Sequence, residues 1–269
     1  MAAGAGKRKA MSTDRNREKW TREEHLLAFN LYCKIPFGTI HHRNPRLIEL
    51  AELLGRTPSS VSFKLSNFAR MDPALQARGI AGLTHGAKGE EDIWRDFQAD
   101  AEAVAFESEQ LLAQRRGKPL EASAEIEERN LPADGKERES VVRVRVNQSF
   151  FRGRILSAYD HRCCVTGLAV PELLVASHIR PWSVDKANRL NPRNGLCLNA
   201  LHDRAFDRGL MWIADDYTVR FRLTGGKTDE LAQGAREWLT RFEGKRLILP
   251  KGFSPDPAFL RWHAEHVAC

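Results

Sequence analysis

The 269-residue chain carries 42 Lys and Arg against 35 Asp and Glu, a formal net charge of +7, and its isoelectric point lies near 9.3, so polyanions are the expected partners. No apolar run approaches the roughly 20 residues needed to cross a bilayer, and the opening MAAGAGKRKA lacks the hydrophobic centre of a secretion signal. A soluble, cytoplasmic chain without a membrane partner is expected, long enough for two modest domains. Its five cysteines, Cys33, Cys163, Cys164, Cys197 and Cys269, are odd in number and lack the pattern of a secreted disulfide scaffold, which suits reduced thiols.

Residues 1–18 read as a flexible basic arm. Folding is expected to begin at Trp20, where Thr21 and Glu24 form a capping-box pattern ahead of HLLAFNLYCKI, a helix stopped near Pro36. A second helix should start after Asn44 with Pro45 at its first position and end at Gly55. Thr57-Pro58 opens a third, in which Val61, Leu65 and Phe68 recur at helical spacing. Two helices separated by Gly55 to Thr57 resemble a helix-turn-helix. In that motif the second helix enters the major groove, and Ser59, Ser60, Lys64, Asn67 and Arg70 lie opposite the apolar stripe as candidates to meet base edges or phosphates. The bland alternative is a helical bundle with a solvated polar face. Residues 79–89, GIAGLTHGAKG, could add a wing.

Asp92 to Arg116 reads as one helix, with Ile93, Trp94, Phe97, Val104, Leu111 and Leu112 apolar. Gly117 to Glu139 is polar and short of large apolar groups, as a linker would be. Val141, Val144 and Val146, interleaved with Arg143 and Arg145, suggest a strand or basic arm. The domain plan is therefore an arm (1–18), a DNA-binding unit (19–90), a helix and linker (91–139) and a C-terminal unit (140–269).

The C-terminal unit holds the most informative stretch, LLVASHIRPWSVDKANRLNPRNGLCLNALHDRAFDRGL over residues 173–210. Leu173 to Ile179 suits a strand ended by Pro181, which puts His178 at the strand's end. Asn194-Gly195 reads as a turn before a second short strand through Leu196 and Leu198. Asn199 could cap the next helix, with His202 in its first turn, Ala205 and Phe206 on its buried face and Gly209 as left-handed terminator.

The order His178, Asn194, His202, within a segment from Asn147 to Trp212 that includes NQSFFRGRILSAYDHRCCVTG, resembles the HNH nuclease superfamily, which cuts phosphodiester bonds with a ββα-metal site. Beside apolar residues a histidine is more often a satisfied core group than a catalyst. Here the surrounding motif singles out His178. The resemblance implies a ββα-metal unit; with the helix-turn-helix reading above, the expected fold is α+β, a helix-turn-helix domain, winged or not, joined by a helix and linker to that unit. It also implies endonuclease activity on double-stranded DNA. A neutral imidazole can take a proton from water near neutral pH, so His178 is the candidate base. His202 is the candidate ligand for one divalent cation, Mg²⁺ or Mn²⁺. Asn194 has no acid or base chemistry, but its amide can hold the loop that orients the His178 ring.

Many members of the superfamily carry a metal-binding aspartate immediately before the base; here that position is Ser177, a poorer ligand for a hard cation. Either the site is built around His202 with waters and phosphate oxygens, or Asn199, Asp203 or Asp207 contributes. Some relatives hold a structural zinc between two CxxC pairs. The pairs are missing here, so that zinc is not expected, although Cys163 or Cys164 with Cys197 could form a mixed site. His263 and His266 have metal-like spacing, but nothing completes a site, so both are read as structural. Arg180, Arg193, Arg204 and Arg208 are the candidate phosphate contacts. Together these readings suggest a restriction or defence enzyme whose N-terminal unit selects DNA, and one site per chain that must cut two strands suggests a homodimer. The rivals are an indiscriminate effector nuclease and a DNA-binding regulator with a degenerate nuclease fold.

Overall fold

A computed structural model describes residues 18–76, 79, 88–222, 237–250 and 252–268. The basic arm expected over 1–18 and the wing expected over 79–89 lie almost wholly outside the described residues.

Local sequence chemistry sets the first three helices. Helix α1 (Arg22–Lys34) opens with a reciprocal capping box: the Glu24 amide donates to Thr21 Oγ1 at 3.2 Å and the Thr21 amide to Glu24 Oε2 at 2.9 Å. Helix α2 (Pro45–Leu54) has Asn44 as its cap and ends at Gly55, whose φ of 66° is left-handed. Helix α3 (Pro58–Ala69) is capped by Thr57 and buries Val61, Leu65 and Phe68. After α4 (Pro73–Gln76) come α5 (Lys88–Ala99) and α6 (Ala101–Arg116).

The single helix expected from Asp92 to Arg116 is thus two. Asp100 leaves helical geometry and accepts a hydrogen bond from the Ala103 amide, capping α6. The stretch expected as a linker is folded: it contains α7 (Leu120–Ser123) and a 3₁₀ turn at Glu128–Asn130. Leu120, Ile126 and Leu131 pack with Phe106 around Ala124, Val142 and Val146. The strand or arm expected at the valines is instead part of α8 (Gly135–Ala158). Val142, Val146 and Phe150 fall four apart and each is buried, a helical period that alternating valines conceal.

Helix α8 joins the two halves. It packs against α1 and α6 on one side and against a hairpin of β1 (Leu174–His178) and β2 (Gly195–Asn199) on the other. The strands pair antiparallel, with His178 opposite Gly195 and Leu174 opposite Asn199. Helix α9 (Ala200–Asp207) follows β2 directly and lies against both strands. This is the strand, strand, helix order that the sequence suggested. The turn expected at Asn194-Gly195 is a 3₁₀ turn (Pro192–Asn194), and Gly195 is extended at φ −137°. Space explains this glycine: a Cβ there would lie 2.4 Å from Ile155 Cδ1 and 2.8 Å from Phe151 Cζ, both on α8. The described residues of the C-terminal half also include a second hairpin, β3 (Met211–Ile213) with β4 (Val219–Phe221), and helix α10 (Pro257–His266).

One apolar cluster runs from Leu26, Phe29 and Phe68 through Phe150 and Phe151 to Leu196, Leu198 and Phe206. Asn30 also donates to Ser108 Oγ and Glu109 Oε1, at 2.7 Å each, in the seam between α1 and α6.

Candidate active site

His178 ends β1 half-buried, its ring stacked on Phe151 at 3.8 Å between centroids and met edge-on by Trp182 at 5.4 Å. Its Nε2 lies 2.9 Å from the carbonyl oxygen of Arg189. A carbonyl only accepts, so Nε2 carries the hydrogen and Nδ1 keeps its lone pair. Burial pushes the imidazole below its usual pKa, the Arg189 carbonyl opposes this and the Arg189 charge adds to it. The net direction favours the neutral ring, the form a base needs.

Asn194 is fully buried and closes the loop between β1 and β2. Its Oδ1 accepts from the Arg180 amide at 2.8 Å, while its Nδ2 donates to the carbonyls of Arg180 and Asn188 at 3.1 and 3.2 Å. The amide therefore fixes both arms of the loop that carries Arg189. Its influence on the His178 ring passes through that loop.

His202 sits in the first turn of α9 and is 1% exposed. Asn199 caps the helix, its Oδ1 accepting from the His202 amide at 2.9 Å and lying 3.0 Å from His202 Nδ1. Nδ1 is thus the protonated nitrogen and Nε2 holds the lone pair. Nε2 is buried and has no hydrogen-bond partner among the described residues. Burial also lowers this imidazole's pKa, and Phe221 and Phe242 approach its ring edge-on. An orphaned, neutral, buried ring nitrogen fits a metal ligand.

Ser177, 3% exposed, lies beside Asp203. Burial pushes the Asp203 carboxyl up; the Ser177 hydroxyl and Arg204 pull it down without reversing the shift. Asp207, one turn on, is raised by burial and by the charge of Asp203. Gly209 is left-handed at φ 68°, in keeping with a helix terminator. A Cβ there would meet the Val267 carbonyl oxygen at 2.1 Å.

Other candidates are engaged elsewhere. Arg180 pairs with Asp185 at 3.0 Å and lies over Trp262, and Arg193 pairs with Asp256 at 3.1 Å. Arg204 and Arg208 are exposed. On α3, Lys64 and Asn67 both bind Glu90 Oε1, at 2.8 and 3.0 Å, and Arg70 pairs with Glu91 at 2.8 Å. Helix α5 therefore covers much of the face expected to be open, leaving Ser59 exposed and Ser60 partly exposed. His263 donates to or accepts from no candidate site group: its Nε2 bonds the Phe206 carbonyl at 3.1 Å and its ring stacks on Phe206. His266 stacks on Trp262. Cys163, Cys164 and Cys197 are buried thiols; burial raises Cys164 well above its usual value and Cys197 to about 12.

Sequence reasoning missed Phe151, Trp182 and Arg189. Phe151 had a signal, since it lies one position from the buried Phe150 on α8 and so on a neighbouring face. Arg189 had none, because its carbonyl, not its side chain, holds the base.

The sequence model of the HNH endonuclease family matches residues 163–214. The match contains β1, the Asn194 loop, β2 and α9, so the C-terminal region carries an HNH domain, a domain that implies endonuclease action on DNA. A search of curated proteins gives no match to the chain. No helix among the described residues is long and apolar enough to cross a membrane.

Proposed function

We propose that the protein is a metal-dependent endonuclease that hydrolyses phosphodiester bonds of double-stranded DNA, with His178 as general base and His202 as metal ligand. The observation that carries this reading is the pair of fixed tautomers: Nδ1 of His178 and Nε2 of His202 keep their lone pairs because the opposite nitrogens are bound to Arg189 and Asn199. A bound Mg²⁺ or Mn²⁺ would polarise the phosphoryl oxygen and stabilise the departing oxygen. His202 would hold it through Nε2, with Asp203 and Ser177 as neighbouring oxygen donors. His178 takes the proton of the attacking water at Nδ1. The imidazolium so formed keeps its Nε2–H bond to the Arg189 carbonyl, and stacking on Phe151 restrains the ring. Asn194 keeps the loop closed.

In this reading Arg204 and Arg208 meet phosphates directly, whereas Arg180 and Arg193 exchange Asp185 and Asp256 for them. Residues 19–90 select the DNA, through Ser59 and Ser60 at the open start of α3, and residues 140–269 cut it as a homodimer in a restriction or defence role. The engagement of Lys64, Asn67 and Arg70 with α5 favours a second reading, in which the helical half controls the cutter and cleavage is indiscriminate.

The test is cleavage of supercoiled plasmid, methylated and unmethylated, by wild type and His178→Ala in Mg²⁺, Mn²⁺ or EDTA. Discrete fragments that require metal, with a loss of about 10²–10⁴-fold on removing the base, support the site-selective enzyme. A metal-dependent smear supports the second reading. Intact DNA that is still shifted in a gel overturns both and leaves a DNA-binding regulator.

A further inference from the structure

We propose that Glu102, in the first turn of α6, is a positioning residue for the His178 base and acts on it through Arg189. For its catalytic meaning the proposal rests on the endonuclease reading above. Five contacts form the chain of action. Glu102 Oε1 and Oε2 lie 3.2 and 3.5 Å from Arg189 Nη1. Arg189 Nε donates to the Trp182 carbonyl at 2.9 Å, and its guanidinium lies over the Trp182 ring at 4.9 Å. That ring meets His178 edge-on. Finally, the Arg189 carbonyl takes the His178 Nε2 hydrogen at 2.9 Å.

Arg189 thus touches the base's surroundings through both its main chain and its side chain. Asn194 pins Arg180 and the carbonyl of Asn188, the residue before Arg189. Arg189 itself is tied to the helical half by Glu102, and the next residue is tied to α8, where Arg154 Nη1 donates to the Leu190 carbonyl at 3.3 Å. Removing Glu102 removes the tie between the Arg189 side chain and α6, so the loop can carry the carbonyl away from Nε2. The ring then loses the bond that fixes its tautomer.

Stability is not expected to carry the main effect. The two side chains are 32% and 18% exposed, so solvent partly screens the pair and its loss should cost folding less than the loss of a fully buried pair. Positional error is a different matter, because a displacement of about 1 Å at a reacting group can cost on the order of 10²-fold in rate. Glu102 and Arg189 are 87 positions apart in sequence, so the helical half becomes part of the cutter's geometry as well as its neighbour.

The experiment combines an activity readout with one that needs no activity. Imidazole ¹⁵N spectra of wild type, Glu102→Gln and Glu102→Ala would report the tautomer of His178, assigned by His178→Ala. Plasmid cleavage and DNA binding would be measured on the same proteins. Wild type should show one Nε2–H tautomer, and Glu102→Ala a mixture of both. The maximal rate should fall about tenfold, with DNA affinity no weaker and melting temperature nearly unchanged. Glu102→Gln, which keeps the shape and loses the charge, should fall between the two and guards against a folding defect. An unchanged His178 spectrum in Glu102→Ala overturns the proposal whatever the rate does, and so does an altered spectrum with an unchanged rate. If wild type cuts nothing yet the spectrum responds, the endonuclease reading fails while the link from Glu102 to His178 stands.

Discussion

Asn199 gives one carboxamide oxygen to two hydrogens of His202, the main-chain amide and ring Nδ1–H. A helix cap and a tautomer are therefore set by the same atom. Asn199→Ala should lower stability by about 1 kcal/mol through the lost cap. It should also weaken Mn²⁺ binding by roughly 10–100-fold, because the imidazole is free to place its hydrogen on Nε2. Calorimetric titration with Mn²⁺, beside a thermal melt, checks both. A destabilised variant with unweakened Mn²⁺ binding would show that His202 is not the ligand.

Gly195 is extended, so its backbone would accept any residue; what it lacks is room. An alanine methyl must displace Ile155 or Phe151, and overpacking of this kind costs about 1–3 kcal/mol. Phe151 is also the ring on which His178 stacks. Gly195→Ala should therefore lose more cleavage than its urea midpoint accounts for when assayed where it remains folded. Full activity per folded molecule would mean that the stack does not position the base.

Glu90 is fully buried between α5 and α3. Burial pushes its carboxyl up, but hydrogen bonds from Asn67 and Lys64 and the Lys64 charge outweigh that and leave its pKa lowered. Glu90→Ala would strand Lys64, whose side chain is 15% exposed. A loss of about 3–5 kcal/mol in urea unfolding is expected. Lys64→Met combined with Glu90→Gln should recover much of it. If Lys64→Ala instead leaves stability intact and abolishes DNA binding, α3 uses this lysine on DNA and not on Glu90.

What the sequence disclosed follows from how far apart the interacting residues are. The Thr21/Glu24 box, the Asn44-Pro45 start, the left-handed Gly55 and the Asn199 cap are contacts within a few positions, and each was legible. Asp100 was not, because an aspartate inside an apolar-periodic run serves equally as an exposed helical residue or as a cap. The valines before α8 satisfy a period of two and a period of four at once, and β-branched residues tilt the choice towards a strand. Phe106, Leu120, Ile126 and Leu131, brought from other segments, decide for the helix. At the candidate site His178, Asn194 and His202 were legible from their motif. The Arg189 carbonyl was not, since a main-chain atom leaves no mark on residue type; nor were Glu102 and the Glu90 cover over α3, which depend on packing between distant segments.

His263 is buried against Phe206, and burial, opposed in part by its bond to the Phe206 carbonyl, lowers its pKa to about 4. The unfolded value is about 6.5. Above 6.5 both states are neutral and the shift has no effect. As the pH falls below 6.5 the unfolded chain takes up a proton that the folded one refuses, so stability is lost until the folded pKa is reached. At about 1.36 kcal/mol per unit, the whole window is worth roughly 3 kcal/mol. His178 and His202, also lowered by burial, act in the same direction. Urea unfolding from pH 7.5 to 4.5 should therefore show a steep acid loss in wild type. In His263→Gln, which can still donate to the Phe206 carbonyl but does not titrate, the loss should be smaller, so the gap between the two proteins narrows by roughly 2–3 kcal/mol over that range. A gap that stays constant with pH would mean that His263 takes up its proton as readily in the folded protein as in the unfolded chain, so that its place beside Phe206 is misread.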